Sequence, residues 1–573
     1  MAYNLDAASI TTLQTLGLLD GQFKQVADGV AEDRYALWLG SGISFERVDG
    51  LKQVISRVLE FLRGQIDFGG NSCRFQNALD ETLDLAGLTP EELAQIDFHT
   101  EFAFWSNSDA IITRLHNKYA QLLDVQVSGE DSDYLLWHGI DIASTFANPD
   151  IEPDVEHLCL AVLIEEGAVS EIATANWDGL IERAAKELSP EQSQITVCVK
   201  PEDLRAPKSR ARLYKFHGCA ESAVKDEAGY RRFLIGRQSQ IHGWASKPEN
   251  ALIVNSLVSV LASKPTLMVG LSAQDANIQA LFAFAANQIM PWPWPGDRPS
   301  YIFSENRIGR DQRGILENVY GDSYTTQTRD EIEASSLIRA YAKPLLIALV
   351  LHVLCSKLRR LSDLAPSQLS VPDKEELHSG IIILRNQIAS AEDGDRLSLV
   401  RNIIRISSNV IGLFRDGELG PEPRGYNPVT STPIHQLATE RGLSASGLKE
   451  AAVALGLLGI GVREGLWELQ AKAAENDSER AIQISSDNAH LKLLFVANSQ
   501  VALNLEVGDE QICASKTVVI YSSEIAPRFT RSPHSTPGRT GKRARREVSI
   551  KRLLGDSDNF QELMQNFRTE LAL

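Results

Sequence analysis

Residues 34–44 read RYALWLGSGIS, and a helix-forming run, GLKQVISRVLEFL, opens at Gly50. A short apolar strand that ends on two glycines around a serine, with a helix to follow, is how parallel α/β sheets receive a nucleotide phosphate. The glycines let the backbone approach a pyrophosphate, while free amides and the helix dipole favour negative charge. Ser41 and Ser44 add hydroxyl donors. The stretch is not the full GxGxxG fingerprint, and a strand followed by Gly-Ser-Gly also reads as a tight turn.

The sequence on either side decides for the sheet. Tyr35–Leu39, Glu171–Thr174, Arg212–Phe216, Thr266–Val269 and Tyr301–Phe303 are short apolar segments that end in small or polar residues, most of them before an amphipathic run. That alternation predicts an α/β fold with a Rossmann-like parallel sheet. Between about residues 51 and 168, Leu, Ile and Phe recur at three- and four-residue spacing, which predicts a helical insert. From about 330 to 475 the pattern is helical, punctuated by Pro366, Pro372, Pro421, Pro423, Pro428 and Pro433. Strand candidates return at Leu491–Ala497 and Thr517–Tyr521. Three regions are expected: a nucleotide-binding domain over 1–310, a mainly helical assembly or sensing region over 311–480, and a small α+β region over 481–573 with a basic arm.

Composition narrows the class. A 43% hydrophobic and 23% charged chain is globular rather than disordered. The opening residues MAYNLDAASITTLQ show no basic segment before an apolar core, so no signal peptide and a cytoplasmic location are expected. The apolar run Pro344–Cys355 is too short to cross a bilayer and reads as a buried helix, so no membrane partner is expected. Six scattered cysteines without a CxxC pair offer neither a disulfide framework nor a zinc site. A net charge of −18 disfavours a surface that binds nucleic acid throughout.

Three further motifs fall at strand ends. Residues 172–182 read IATANWDGLIE, which puts Asn176 and Asp178 at the edge where ligands gather in open parallel sheets, although Asp178 also suits a helix cap. Residues 212–218 read RLYKFHG, so His217 projects from the same edge; a histidine there is more often a packing residue, and His138 and His242 also precede glycines. Residues 267–278 read LMVGLSAQDANI, with Asp275 placed to cap a helix, and 301–306 read YIFSEN.

Taken in order, GSGIS, TANWD, KFHG, VGLS and the strand ending in Ser-Glu-Asn resemble the sirtuin family across about residues 34–306. The resemblance implies NAD as substrate. Gly40, Ser41, Gly42 and Ser44 would hold the pyrophosphate, and Asn176 the nicotinamide ribose or an attacking water. Asp178 would shape the pocket, His217 would be general base on a ribose hydroxyl, and Gly270, Ser272 and Asn306 would line the adenosine side. Breaking the nicotinamide–ribose bond builds positive charge on the ribose, so it needs positioning, exclusion of water and a base rather than a metal.

Two departures from deacylating sirtuins favour water as acceptor. The paired-Cys zinc module is absent, and FERVDGLK follows Ser44 in place of Gly-Ile-Pro-x-Phe-Arg. The chain is therefore similar to the sirtuin-like NADases of bacterial antiphage defence. That likeness implies a homo-oligomer regulated by a partner, a HerA-type ATPase in preference to a short Argonaute. The alternatives are a protein deacylase or ADP-ribosyltransferase, and a silent binder of NAD or ADP-ribose that regulates DNA or a partner. Residues 434–457 resemble a helix-turn-helix but offer only Lys449 as a basic contact in the second helix, so they read as a packing pair. The basic arm 528–552 is expected to form a loop that is free, touches nucleic acid, or binds an acidic protein surface.

Overall fold

A computed structural model of the chain describes all residues except 1–5, 70–72, 289, 297–298, 392–393, 416–424, 441, 444–445, 470–480, 487–488, 499–500, 502–516, 524–545 and 573. Its centre is a sheet of seven strands: β1 (Ala36–Leu39), β2 (Glu171–Thr174), β3 (Ile195–Cys198), β4 (Ala211–Lys215), β5 (Thr266–Val269), β6 (Tyr301–Ser304) and β7 (Leu337–Ile338). They lie in the order β3-β4-β2-β1-β5-β6-β7, and every pairing is parallel. The chain leaves β1 for β2 on one side and later crosses to β5 on the other, so the strand order reverses around β1. A parallel sheet binds its ligands at such a reversal.

The sheet is buried on both faces because successive side chains point opposite ways. Leu37, Leu39, Ile172, Leu213 and Leu267 enter one core; Trp38, Ala173, Tyr214, Met268 and Phe303 enter the other. The first core takes in the helix Val155–Glu165, buried along its whole length, and the helix Ala342–Leu364, which contains the apolar run seen in the sequence. Among the described residues no helix is long and apolar enough to cross a membrane. The second core is closed by the helices Ala251–Ser263, Ala276–Gln288 and Arg310–Tyr320.

The insert forms its own core, built on the helices Leu51–Gly64 and Arg74–Ala86, with Trp177 and Tyr230 packed against it. The helix Val155–Glu165 lies outside it, against the sheet. Two strands of this sheet were not foreseen, β3 and β7, and β7 lies beyond residue 310, the expected boundary.

The helices of the C-terminal region join the first core. The joint is pinned by a buried ion pair, Lys357 Nζ to Glu166 Oε2 at 2.7 Å, with both side chains at 0% exposure. Lys357 Nζ also donates to the carbonyls of Glu166 and Thr430, while Glu166 Oε1 accepts from Val429 N–H and the Tyr426 hydroxyl. The helices Val371–Ser390 and Leu448–Arg463 meet glycine to glycine: a Cβ on Gly380 would fall 1.9 Å from the Gly456 carbonyl oxygen. The second helix of the helix-turn-helix-like stretch is thus inside the protein, with Leu448, Ala451, Ala452 and Leu457 buried, and residues 434–439 form a 3-10 turn.

A second sheet, β12-β11-β10-β9-β8, is made of β8 (Glu468–Leu469), β9 (Ala481–Ser486), β10 (Ala489–Val496), β11 (Thr517–Tyr521) and β12 (Arg546–Ser549). Most of the basic arm lies outside the described residues. Its last part corrects the expectation of a loop: Arg546–Ser549 pairs in parallel with β11, and Ile550–Gly555 is a helix. Val548 and Ile550, both buried, supply the apolar anchors that override the surrounding charge.

Candidate active site

The sheet register gathers the sequence-selected residues on one row. Leu39 pairs with Thr174 and Val269, Thr174 with Lys215, and Val269 with Ser304. One residue past that row stand Gly40 and Gly270; two past it stand Asn176, His217 and Asn306. Adjacent strands are about 4.8 Å apart, so these groups share the C-terminal edge of the sheet at its reversal point.

The two glycine turns touch backbone to backbone. A Cβ on Gly40 would lie 2.2 Å from the Gly270 carbonyl oxygen, and one on Gly42 would lie 2.7 Å from Gly270 Cα. Gly270 itself has φ +61°, the left-handed region that suits glycine. Most of the loop's amides are engaged within the protein: Gly42 N–H donates to Gly270 O, Ile43 to Gly40 O and Ser44 to Ser41 O. The expectation of free amides is corrected accordingly. The helix Leu51–Gly64 starts seven residues after Ser44, so its N-terminus does not begin at the glycines. Ser41 is exposed on the turn, and Ser44 is buried beneath it.

Asn176 is tied to this loop. Its Nδ2 donates to Gly40 O at 3.1 Å, and its own amide donates to Thr174 Oγ1 at 3.0 Å. Asp178 Oδ1 accepts from Leu180 N–H at 3.2 Å, at the first residue of the helix Leu180–Leu188, while Gly179 occupies the N-cap position. The segment 176–178 is fastened from β4 by Lys215, whose Nζ donates to Asp178 O and to Glu182 Oε1 at 2.9 Å. Burial disfavours the Lys215 charge, but the Cys219 sulfur, Glu182 and Asp178 outweigh it and raise its pKa. On the far side Trp177 meets Phe146 of the insert edge to face at 5.3 Å.

His217 is enclosed, 5% exposed, with the Trp244 ring beside it at 6.1 Å. Asn277 Nδ2 donates to its Nε2 at 3.1 Å, which places the ring proton on Nδ1. Asp275 Oδ1 lies 3.8 Å from the same Nε2. Burial lowers the His217 pKa, with Asp275 opposing, so the ring is neutral near pH 7, and its lone pair on Nε2 is taken up by the Asn277 amide.

Of the adenosine-side assignments, Gly270 is at the turn just described and Ser272 is exposed on the loop that follows it. That loop is braced from behind by Gln312 Nε2 donating to Leu271 O and Gln279 Nε2 donating to Ala273 O. Asn306 Oδ1 accepts from Ala7 N–H at 3.2 Å, so it holds the N-terminal segment over the edge.

Sequence reasoning missed His157, Asp154, Lys343 and Asn277. His157 Nε2 reaches Ser44 Oγ at 3.1 Å, and Asp154 receives Arg47 and Lys343. Among the described residues no group of three or more His, Cys, Asp or Glu is placed to hold a metal ion.

Residues 170–321 match the family model of the SIR2-like domain. The match runs from the start of β2 past β6 and includes Asn176, Asp178, His217, Gly270, Ser272 and Asn306; the glycine loop 40–44 precedes it. Among solved structures, one described as "Structural Basis for the Mechanism and Regulation of Sir2 Enzymes" is similar at 14% identity, with 58% of this chain and 97% of that chain covered and a TM-score of 0.26. No curated protein matches.

Proposed function

We propose that this chain hydrolyses NAD to nicotinamide and ADP-ribose. The observation that carries the reading is the placement of Asn176, hydrogen-bonded to the glycine loop, and of a buried neutral His217 on the same sheet edge. In the reaction the nicotinamide–ribose bond breaks, and its electron pair leaves with the pyridine ring as neutral nicotinamide. Water supplies the new C–O bond at the ribose, with Asn176 holding the ribose or that water. His217 is the general base on a ribose hydroxyl, taking its proton on Nε2 in place of the Asn277 hydrogen bond and returning it as the product forms, and the proton that water gives up passes to solvent. Gly40, Ser41, Gly42 and Ser44 bind the pyrophosphate, Gly270, Ser272 and Asn306 line the adenosine side, and Asp178 fixes the turn that carries Asn176.

Water rather than an acylated peptide is the acceptor because the chain lacks the paired-Cys module and the peptide-side loop sequence of deacylating sirtuins. By the same resemblance we place the chain in the cytoplasm as a homo-oligomeric, NAD-depleting effector of antiphage defence, restrained at rest and partnered by a HerA-type ATPase.

The test is NAD consumption by the full-length protein, alone and with the product of its neighbouring gene. Nicotinamide and ADP-ribose should appear without any acyl substrate. Asn176→Ala and His217→Ala should each lower kcat by about 100-fold or more. Turnover that survives both changes, or that requires an acylated peptide, overturns the proposal.

A further inference from the structure

A second set of residues reaches the glycine loop from beneath. Ser44 is 1% exposed, and its Oγ lies 3.1 Å from Nε2 of His157, which is 0% exposed. On the other side of the ring, Asp154 N–H donates to Nδ1 at 3.1 Å. A neutral imidazole that accepts at Nδ1 carries its proton on Nε2, so His157 donates to Ser44. Burial, against the pull of Asp178 and Asp154, lowers the His157 pKa to about 4, so the ring is neutral across the physiological range.

A helix cap alone does not account for this. Asp154 and His157 form a reciprocal cap on the helix Val155–Glu165, and Glu or Gln is the usual third residue of that motif. Either would satisfy the cap. Histidine adds a second nitrogen on the opposite side of the ring, and that nitrogen spans 113 residues to the nucleotide loop. With Ser44 Oγ accepting from His157, the serine hydroxyl keeps its own proton to donate.

The cap residue is held in turn by cations from two directions. Arg47, three residues past Ser44, lies 3.1 Å from Asp154 Oδ1. Lys343 lies 3.1 Å from Asp154 Oδ2 and also pairs with Glu46. Burial opposes ionisation of Asp154, but hydrogen bonds from Arg47, Val155 N–H and Lys343 bring its pKa down to about 2. Lys343 stands in the first turn of the helix Ala342–Leu364, so a helix of the C-terminal region grips both ends of the device.

We infer that His157 is a positioning residue for the NAD pyrophosphate, acting through Ser44, and that Lys343 carries the C-terminal helix into the same arrangement through Asp154. This rests on the NAD reading of the site. It adds that the nucleotide loop is completed by residues outside the SIR2-like stretch, one before it and one after.

The experiment uses full-length protein, ADP-ribose binding by calorimetry and NAD kinetics. Loss of one buried hydrogen bond corresponds to about a five- to tenfold weakening. His157→Leu and Ser44→Ala should each weaken ADP-ribose binding by about that factor, with the double variant no weaker than either alone. His157→Leu should raise KM and leave kcat within about twofold, and His157→Gln, which keeps a donor toward Ser44, should recover most of the affinity. Lys343→Met should weaken binding and Lys343→Arg restore it. A folded His157→Gln or Ser44→Ala protein provides the comparison if His157→Leu does not fold. Wild-type affinity in Ser44→Ala and His157→Leu, or additive losses in the double variant, overturns the inference alone. A wild-type protein that binds neither ADP-ribose nor NAD overturns the NAD reading with it.

Discussion

Lys357→Met removes the cation from the joint between the seven-stranded sheet and the C-terminal helices. In the native protein its Nζ serves three oxygens: Glu166 Oε2 at 2.7 Å and the carbonyls of Glu166 and Thr430 at 2.5 and 2.6 Å. With methionine there, Glu166 remains at 0% exposure, still tied to Val429 and Tyr426 but without its counter-charge. Removing one partner of a buried ion pair costs about 3–5 kcal/mol, against at most about 1 kcal/mol for a surface pair. Replacing both, as Lys357→Met with Glu166→Leu, removes the stranded charge and leaves the two carbonyls, Val429 N–H and the Tyr426 hydroxyl unserved, at about 1–3 kcal/mol each, costs that the single variants already carry. The double variant should therefore lose at least about 2 kcal/mol less than the sum of the singles. Equilibrium urea unfolding followed by far-UV circular dichroism measures all four proteins. A cost under about 1 kcal/mol for Lys357→Met, or strict additivity, refutes the idea that this pair fastens one continuous core.

Two further changes test the loop and the helix beneath it. Gly42→Ala puts a methyl group 2.7 Å from Gly270 Cα, so one turn must move; a loss of about 1–3 kcal/mol in stability and a weakening of ADP-ribose binding should follow, read by thermal shift and calorimetry. Glu156 is buried, with its Oε2 unpartnered, and burial raises its pKa from 4.5 to about 7. The folded state thus holds a proton that the unfolded chain releases, and stability present below pH 4.5 is lost as pH rises to about 7. Glu156→Gln should match wild type at about pH 4.5 and exceed it by about 3 kcal/mol at pH 8, and equal urea midpoints at both pH values would count against the burial argument. His157 on the same helix works the other way, its contribution being lost as pH falls from 6.5 through about 4, so the Gln variant is needed to expose the alkaline arm.

The sequence made the row of strand ends legible because each strand is apolar and stops at a glycine or a small polar residue. ALWL before Gly40, EIAT before Ala175-Asn176 and TLMV before Gly270 are the clearest, and the register brings their ends together. β3, Ile195–Cys198, escaped because two of its four residues are Thr and Cys, and β7 because it has only two residues. Of the small second sheet only β10 and β11 were foreseen; β12 sits inside a basic stretch, RREVSIKR, whose charge hides two buried positions. The supporting residues were unreadable for another reason. Asn277 and His157 lie within helices, and their partners are 60 and 113 residues away. Nothing in local spacing marks such a partner; only the closed sheet does.

The strand order also sets a timetable for synthesis. β1 emerges from the ribosome first yet occupies the middle of the sheet, between β2 and β5, so its glycine turn has no opposite turn until Gly270 is made. At about 5–20 residues per second, the wait is on the order of ten seconds or more, and Lys343 and Lys357 come later still. A nascent or truncated chain that stops short of the helix Ala342–Leu364 has the glycine loop but not the residues that brace it, and it leaves one apolar face of the sheet uncovered. Such a product would be a client for chaperones and proteases, so an ordered glycine loop is reserved for chains that extend past residue 364.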